Sequence, residues 1–433
     1  MGKKSSVNII VKLIGMVVGS ALLGLFLMWL VYLLPVEKMA ENVADSAELL
    51  YAQNDSKELI AGDYWKAYDR GTNIIILHEI IYPNNGQALT DALLVPTADY
   101  TARWDEDWAD VLLEYAANRE YDEDDDYLPY ARYWHGYLVL LKPLFLFLDL
   151  GATYMLNLLL FGISTIVIAF LMKKHLGSYW KAYVLLIMVM YPINIIQSYQ
   201  LSSVFYAMQL TMFLLLLKDT WKEEDVLSIF VLDGIVLAFL DFLTYPLVAF
   251  AVPALTAYLL SKKSCLKENL CAMIGRGFAF GLGYAGMWAM KWIFASIFTT
   301  QNVILDAIDS ILHRTGVVEN TYDENFMSIS TADALMRNLK SFFNEYNLII
   351  LAIVCIISFF YIVAKKVKGS VDKQMLLVCS VIGISPFLWI MLLTNHSSLH
   401  PHLEWRTFAI LIYAVAILGI SIWGTDVRGK ENG

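Results

Sequence analysis

Charge is what this chain has little of. Charged residues make up 17% of its 433, against 58% hydrophobic and 14% aromatic. Soluble domains carry about 25% charged residues, so this composition excludes an ordinary soluble protein. Cysteine is equally scarce, at four. Cys355 and Cys379 fall in apolar runs, and Cys265 and Cys271 flank a lysine-bearing loop. None lies in either long polar loop, so no disulfide framework is implied, and no spacing suggests a zinc site. The chain lacks an internal repeat, which tells against a transporter built from duplicated halves. No small-residue cleavage site closely follows the N-terminal apolar run, so MGKKSSVNIIVKLIGMVVGSALLGLFLMWLVYLLP reads as a retained first span.

What is there is a series of membrane-length apolar stretches. Ten spans are expected, at about 9–34, 152–172, 181–199, 202–217, 226–241, 245–260, 270–297, 347–364, 374–393 and 406–424. The fold class is therefore an all-α polytopic membrane protein. Basic residues orient it. With the N-terminus in the cytoplasm, KKHLGSYWK, KDTWKEED, SKKSCLK, KKVKGSVDK and the tail VRGK all face inward. The outer side receives residues 36–132, with 22 acidic residues against 7 basic, and 299–346, with 7 against 3. The net charge of −10 thus belongs mostly to outer loops and points to no nucleic-acid partner. The expected layout is a first span in 1–35, an acidic loop domain over 36–132, an interface helix over 133–151 and a bundle over 152–298. A second outer loop over 299–346, C-terminal spans in 347–424 and a cytoplasmic tail over 425–433 complete it.

ARYWHGYLVLLKPLFLFLDLG (131–151) does not suit a span, because Lys142 and Pro143 sit in its middle. A lysine at mid-bilayer costs roughly 3 kcal/mol. At 100° per residue, Arg132, His135, Lys142 and Asp149 share an arc of about 100°, which predicts an amphipathic helix in the outer interface, bent at Pro143.

One span, a long outer loop, then HGYLVLLKPLFLFLDLG, then IVIAFLMKKHLG and LLIMVMYPINIIQSYQLSS: this order resembles the GT-C superfamily of membrane glycosyltransferases, which includes protein O-mannosyltransferases and aminoarabinose transferases. The likeness covers roughly residues 1–220. It implies a polyprenyl-phosphate sugar donor, an acceptor exposed on the outer face, and an acidic general base in the first outer loop. It also implies an integral protein of a bacterial plasma membrane, with no required cofactor. The chain departs from the family in having no adjacent acidic pair just after the first span. The nearest single acids are Asp45, Glu48, Asp63 and Asp69.

Transfer from a phosphate-linked sugar needs a carboxylate to take the acceptor's proton and cations to hold the departing phosphate. Asp69 and Asp63 are the candidate bases, Asp69 favoured because Arg70, Gly71 and Thr72 suggest a turn. The candidate phosphate and substrate ligands are Arg132, His135 and Lys142, then His396, His400, His402 and Arg406 from NHSSLHPHLEWR (395–406), and Asp241 in DFLTYP. Arginine suits bidentate phosphate binding. Each has a plainer reading: a water-facing stripe for Arg132 and His135, a snorkelling anchor for Arg406, a turn cap for Asp241. The run DEDDD (122–126) is a solvated loop or a divalent-metal site; no metal ligand is assigned. A surface-polysaccharide polymerase or ligase, which would place its large loop late in the chain, and a transporter, which would need a polar path through the membrane, are the alternatives.

Overall fold

The computed structural model describes residues 3–53, 62–100, 106–118, 127–317, 330–365 and 372–428. Within them the chain is helical apart from one antiparallel pair, β1 (Pro96–Ala98) with β2 (Tyr127–Pro129), in which Thr97 faces Leu128. Six helical stretches are long and apolar enough to cross a membrane: Asn8–Tyr32, Leu150–Val189, Leu266–Phe298, Glu345–Val363, Lys373–Leu392 and Pro401–Ile422. Shorter helices, Tyr199–Leu215, Glu223–Leu240 and Leu247–Ser261, fill the remaining expected spans. Large apolar side chains such as Phe170, Ile166 and Phe359 stand exposed on the outside of these helices, as a lipid-facing surface requires.

Local chemistry sets the helix ends. Asp149 accepts from the Ala152 amide at the start of Leu150–Leu176, and Lys173, Lys174 and His175 occupy that helix's last turn before Gly177 at φ +60. The cap satisfies an orphan amide, the cations face the negative end of the dipole, and glycine takes the left-handed position without a Cβ penalty. Within the bundle, Glu223–Leu240 and Leu266–Phe298 meet at Gly234 and Gly283. A Cβ on either would lie well inside van der Waals contact with backbone of the other helix.

Described residues between Glu37 and Asn118 build a second hydrophobic core, the loop layer. Helices Glu37–Ala44, Arg70–Ile81 and Trp108–Asn118 bury Met39, Val43, Leu77, Ile80 and Leu112 in one core with Phe145. Here the structure corrects the expected interface helix. Only Leu138–Phe145 is helical in 131–148, and its polar stripe does not face water. Lys142 is fully buried and donates to the carbonyls of Glu79 (3.2 Å) and Ile80 (2.7 Å), near the C-terminus of Arg70–Ile81. Its Nζ lies 4.8 Å from the centre of the Tyr32 ring. The loop layer covers the stripe, so burial with carbonyl partners replaces exposure to headgroups.

The expected helix 181–199 is also corrected. It is broken into Trp180–Val189 and Pro192–Ile196. Pro192 has no N–H to continue the ladder, and Tyr191 before it adopts φ +57.

Candidate functional site

Asp69 begins at a helix end. It is the N-cap of Arg70–Ile81, its Oδ1 accepting from the Thr72 amide at 3.3 Å, while Gln200 donates to its Oδ2. Gln200 comes from the start of Tyr199–Leu215, and Asn73, one helical turn past Asp69, accepts from the Tyr199 amide. The loop before Asp69 is held down by Asn194, which donates to the carbonyls of Trp65 and Ala67, and by Trp65 packed on Tyr191 and Tyr346. Asp69 is thereby buried against the broken helix.

From the far end of the sequence, 395–406 meets it. This stretch folds as Thr394–Leu399, Pro401–Glu404 and the 3-10 turn Trp405–Phe408. His402 Nε2 lies 4.0 Å from Asp69 Oδ1. Arg406 is fully buried, not a snorkelling anchor. Its Nε donates to the Met190 carbonyl at 3.2 Å, at the helix break, its Nη1 donates to the His402 carbonyl at 2.6 Å, and its guanidinium stacks on Trp405. The break at Tyr191–Pro192 therefore frees a carbonyl that orients Arg406.

Among the described residues, His402 Nδ1, Arg406 Nη2 and Gln200 Oε1 have no protein partner, and neither have Trp405 Nε1 and Asn194 Oδ1. Buried polar atoms are rarely left unpaired, which sets this cluster apart from the packed helices around it.

The histidines continue as a row. The His402 and His400 rings lie 5.8 Å apart, His400 and His396 4.9 Å. His396 donates from Nε2 to the Leu243 carbonyl at 2.6 Å, and its Nδ1 accepts from Arg314. Burial, then the Arg314 guanidinium, holds His396 well below the usual imidazole range, and burial pushes His400 down to about 3. Both are neutral. Asp241 sits behind this row as a turn cap, accepting from the Leu243 and Thr244 amides and the Thr244 hydroxyl. That turn puts Leu243 at φ +77 and aims its carbonyl at His396.

The other candidates lie elsewhere. Asp63 is half exposed and pairs with Lys66 at 3.4 Å, which also pairs with Glu345. His135, at φ +52, is buried against Glu79, Tyr137 and the Tyr130 carbonyl. Arg132 pairs with Asp306 at 2.9 Å. The acidic run 122–126 lies outside the described residues, and among those described no group of three His, Cys, Asp or Glu is placed to hold a metal ion.

Sequence reasoning missed Gln200 and the Met190 carbonyl. YPINIIQSYQ signals a helix break, but not that the break faces Asp69. It also missed an apolar groove of about 520 Å³ between Leu150–Leu176 and Tyr199–Leu215, walled by Leu160, Ile163, Val167, Leu210 and Phe213. Its wall residues run from Thr153 to Ile168 along one helix, about 22 Å at 1.5 Å per residue. Tyr199, adjacent to Gln200, lines the same groove. The chain matches no family model, no curated protein and no solved structure.

Proposed function

We propose that this protein is a membrane glycosyltransferase that moves a sugar from a polyprenyl-phosphate donor to an acceptor on the outer face of the membrane. One observation carries the reading: Asp69, His402 and Arg406, remote in sequence, converge in one cluster, and Tyr199, the residue before the Asp69 partner Gln200, lines an apolar groove about 22 Å long. The lipid chain occupies the groove, with its phosphate near Arg406. Asp69 holds His402 by Nε2, which leaves Nδ1 as the acceptor for a proton. The 4.0 Å separation closes to a hydrogen bond when substrate binds, as catalytic contacts often do.

The acceptor hydroxyl gives its proton to the His402–Asp69 pair, and its oxygen bonds to the sugar's anomeric carbon. The bond from that carbon to the phosphate oxygen breaks, and the phosphate leaves with the electron pair. The Arg406 guanidinium balances that charge in a site without bulk water, where a preorganised cation stabilises the transition state most. No metal ion enters this scheme.

Ten spans with both termini in the cytoplasm belong to the same proposal. The lysine- and arginine-bearing loops then all face inward, and Asp69 opens outward in a bacterial plasma membrane.

The test is sugar transfer by purified protein from the host's polyprenyl-phosphate sugars, read by mass spectrometry. Asp69→Asn and His402→Gln are each expected to lower the rate by about 10²–10⁴-fold with an unchanged unfolding midpoint. Full transfer by both variants would overturn the assignment. Accumulation of lipid-linked oligosaccharide on gene deletion, with an unchanged monosaccharide donor pool, would instead favour a polymerase.

A further inference from the structure

Val303–Arg314 is a 12-residue helix in the stretch read from the sequence as a second outer loop. At about 100° per residue its side chains divide into three arcs. Val303 and Ala307 are buried against the bundle, on the same side as Ser310 and Arg314, which line a small cavity with Trp288 and Trp292. Asp306, Asp309 and His313 form a polar arc, and Asp306 pairs with Arg132 at 2.9 Å, which fixes the roll of the helix. Ile304, Leu305, Ile308 and Ile311 fill the third arc, about 120° wide, and all four are exposed.

Single apolar side chains on a protein surface are ordinary. A stripe of four on one helix face marks an interaction surface, and its surroundings say which kind. The stripe begins where a long apolar helix ends. The Ile304 amide donates to Ser296 Oγ at 3.3 Å, in the last turn of Leu266–Phe298, where Ile297 and Phe298 are exposed. Leu305, at 58% exposure, is as open as Phe298 at 57%. At the other end of the stripe, Ile311 lines the same small cavity as Leu392, the last residue of Lys373–Leu392, where Met391 and Leu392 are exposed. The stripe therefore continues the outer apolar surface of two membrane-length helices, around which lipid is the medium.

Its depth agrees. Trp292 and Trp389 lie in the last two turns of those helices and share that cavity with Ala307 and Ile311. Tryptophan is enriched at headgroup level, so the helix above this pair runs where the acyl chains meet water.

We propose that Val303–Arg314 is an interfacial helix that lies along the membrane, its Ile304–Ile311 stripe seated in the acyl chains of bilayer lipid and its Asp306 and Asp309 in water. Helices of this kind sink their apolar face about 5–10 Å into the headgroup boundary. Its last turn also meets the 395–406 stretch: Asn395 donates to the His313 carbonyl at 2.8 Å, and Arg314 contacts His396. Lipid packing at this helix therefore bears on how the histidine row is held. The proposal rests neither on glycosyl transfer nor on which side of the membrane is outer.

The experiment uses the full-length protein in phosphatidylcholine nanodiscs, with its four cysteines replaced by alanine. A nitroxide is attached at Leu305→Cys, Ile308→Cys or Asp309→Cys, one at a time. Its collisions with oxygen, which concentrates in lipid, and with a nickel chelate, which stays in water, are read by electron paramagnetic resonance. Oxygen is expected to exceed nickel several-fold at Leu305 and Ile308, as at the exposed span position Phe359, and the order is expected to reverse at Asp309. Excess nickel at all three would put the stripe in water and overturn the proposal. Few collisions with either at Leu305 and Ile308 would mean that protein covers the stripe, and would overturn it too; spin–spin broadening would then identify a second copy, and its absence residues 318–329. If the cysteine-free chain does not fold, the wild-type protein is irradiated with a phospholipid that carries a photoactivatable chain end. Cross-links are expected on 303–314 and not on Trp108–Asn118 of the loop layer, which also exposes acids, Asp110 and Glu114. Their absence from 303–314 would overturn the proposal.

Discussion

At the scale of single residues, several side chains are held in states that water would not allow. His78 is one. It lies in the loop layer among Tyr100, Tyr115 and Tyr127, with Nδ1 accepting from the Ala98 amide at 3.2 Å. Burial pushes it down to about 3, as it does His400. An imidazole kept neutral in the fold binds its proton more readily in the unfolded chain. Between the unfolded value near 6.5 and the folded value, the unfolded state therefore takes up protons that the fold excludes. Stability is full above about pH 6.5 and falls as pH falls. We expect a drop of about 2 kcal/mol per such histidine by about pH 5, seen as a lower unfolding midpoint in detergent. His78→Gln, which keeps an acceptor and does not titrate, is expected to reduce the drop. An unchanged pH profile in that variant would show that His78 is not part of it.

At the scale of elements, the bundle depends on close backbone approach and the site on a broken helix. Gly234 and Gly283 let Glu223–Leu240 and Leu266–Phe298 touch, so a methyl group at Gly283 meets the Val231 carbonyl. Without a hydrophobic drive between helices in lipid, such packing is a main source of association. Gly283→Ala is expected to cost about 1–3 kcal/mol, and Gly283→Leu more, measured by thermal unfolding in detergent. A neutral Gly283→Ala would mean that the helices part without loss. The Tyr191–Pro192 break works the other way: it gives up a stretch of ladder and exposes the Met190 carbonyl to Arg406. Tyr191 and Leu243, both at positive φ, are of the kind whose strain persists where the surroundings over-determine it.

At the scale of the whole molecule, the proposed orientation has a direct check. The native Cys265 and Cys271 are exposed, at the start of Leu266–Phe298, the helix end assigned to the cytoplasm. Asn84 is exposed in the loop layer assigned to the outside. A membrane-impermeant maleimide applied to intact cells is expected to label Asn84→Cys and to reach Cys265 and Cys271 only after permeabilisation. Labelling of the native cysteines from outside would reverse the orientation and place the Asp69 cluster on the cytoplasmic side.

What the sequence determined by itself is what composition and one-dimensional period can encode. Apolar length specifies helices, because lipid leaves the backbone no other partner for its hydrogen bonds; helix therefore occurs in every stretch read as a span. Asp69 was legible as a turn residue, and Arg406 and the three histidines as an unusual polar cluster between apolar runs. What only the tertiary structure decided is which of these meet. Asp69 and His402 are brought together by the fold, while Asp63, six residues from Asp69, pairs at the surface with Lys66. Lys142 had the right period for a polar stripe and is covered by a layer whose placement no local pattern specifies. Burial is a property of what packs on top of a residue, and the chain segments that do so here are tens to hundreds of positions away.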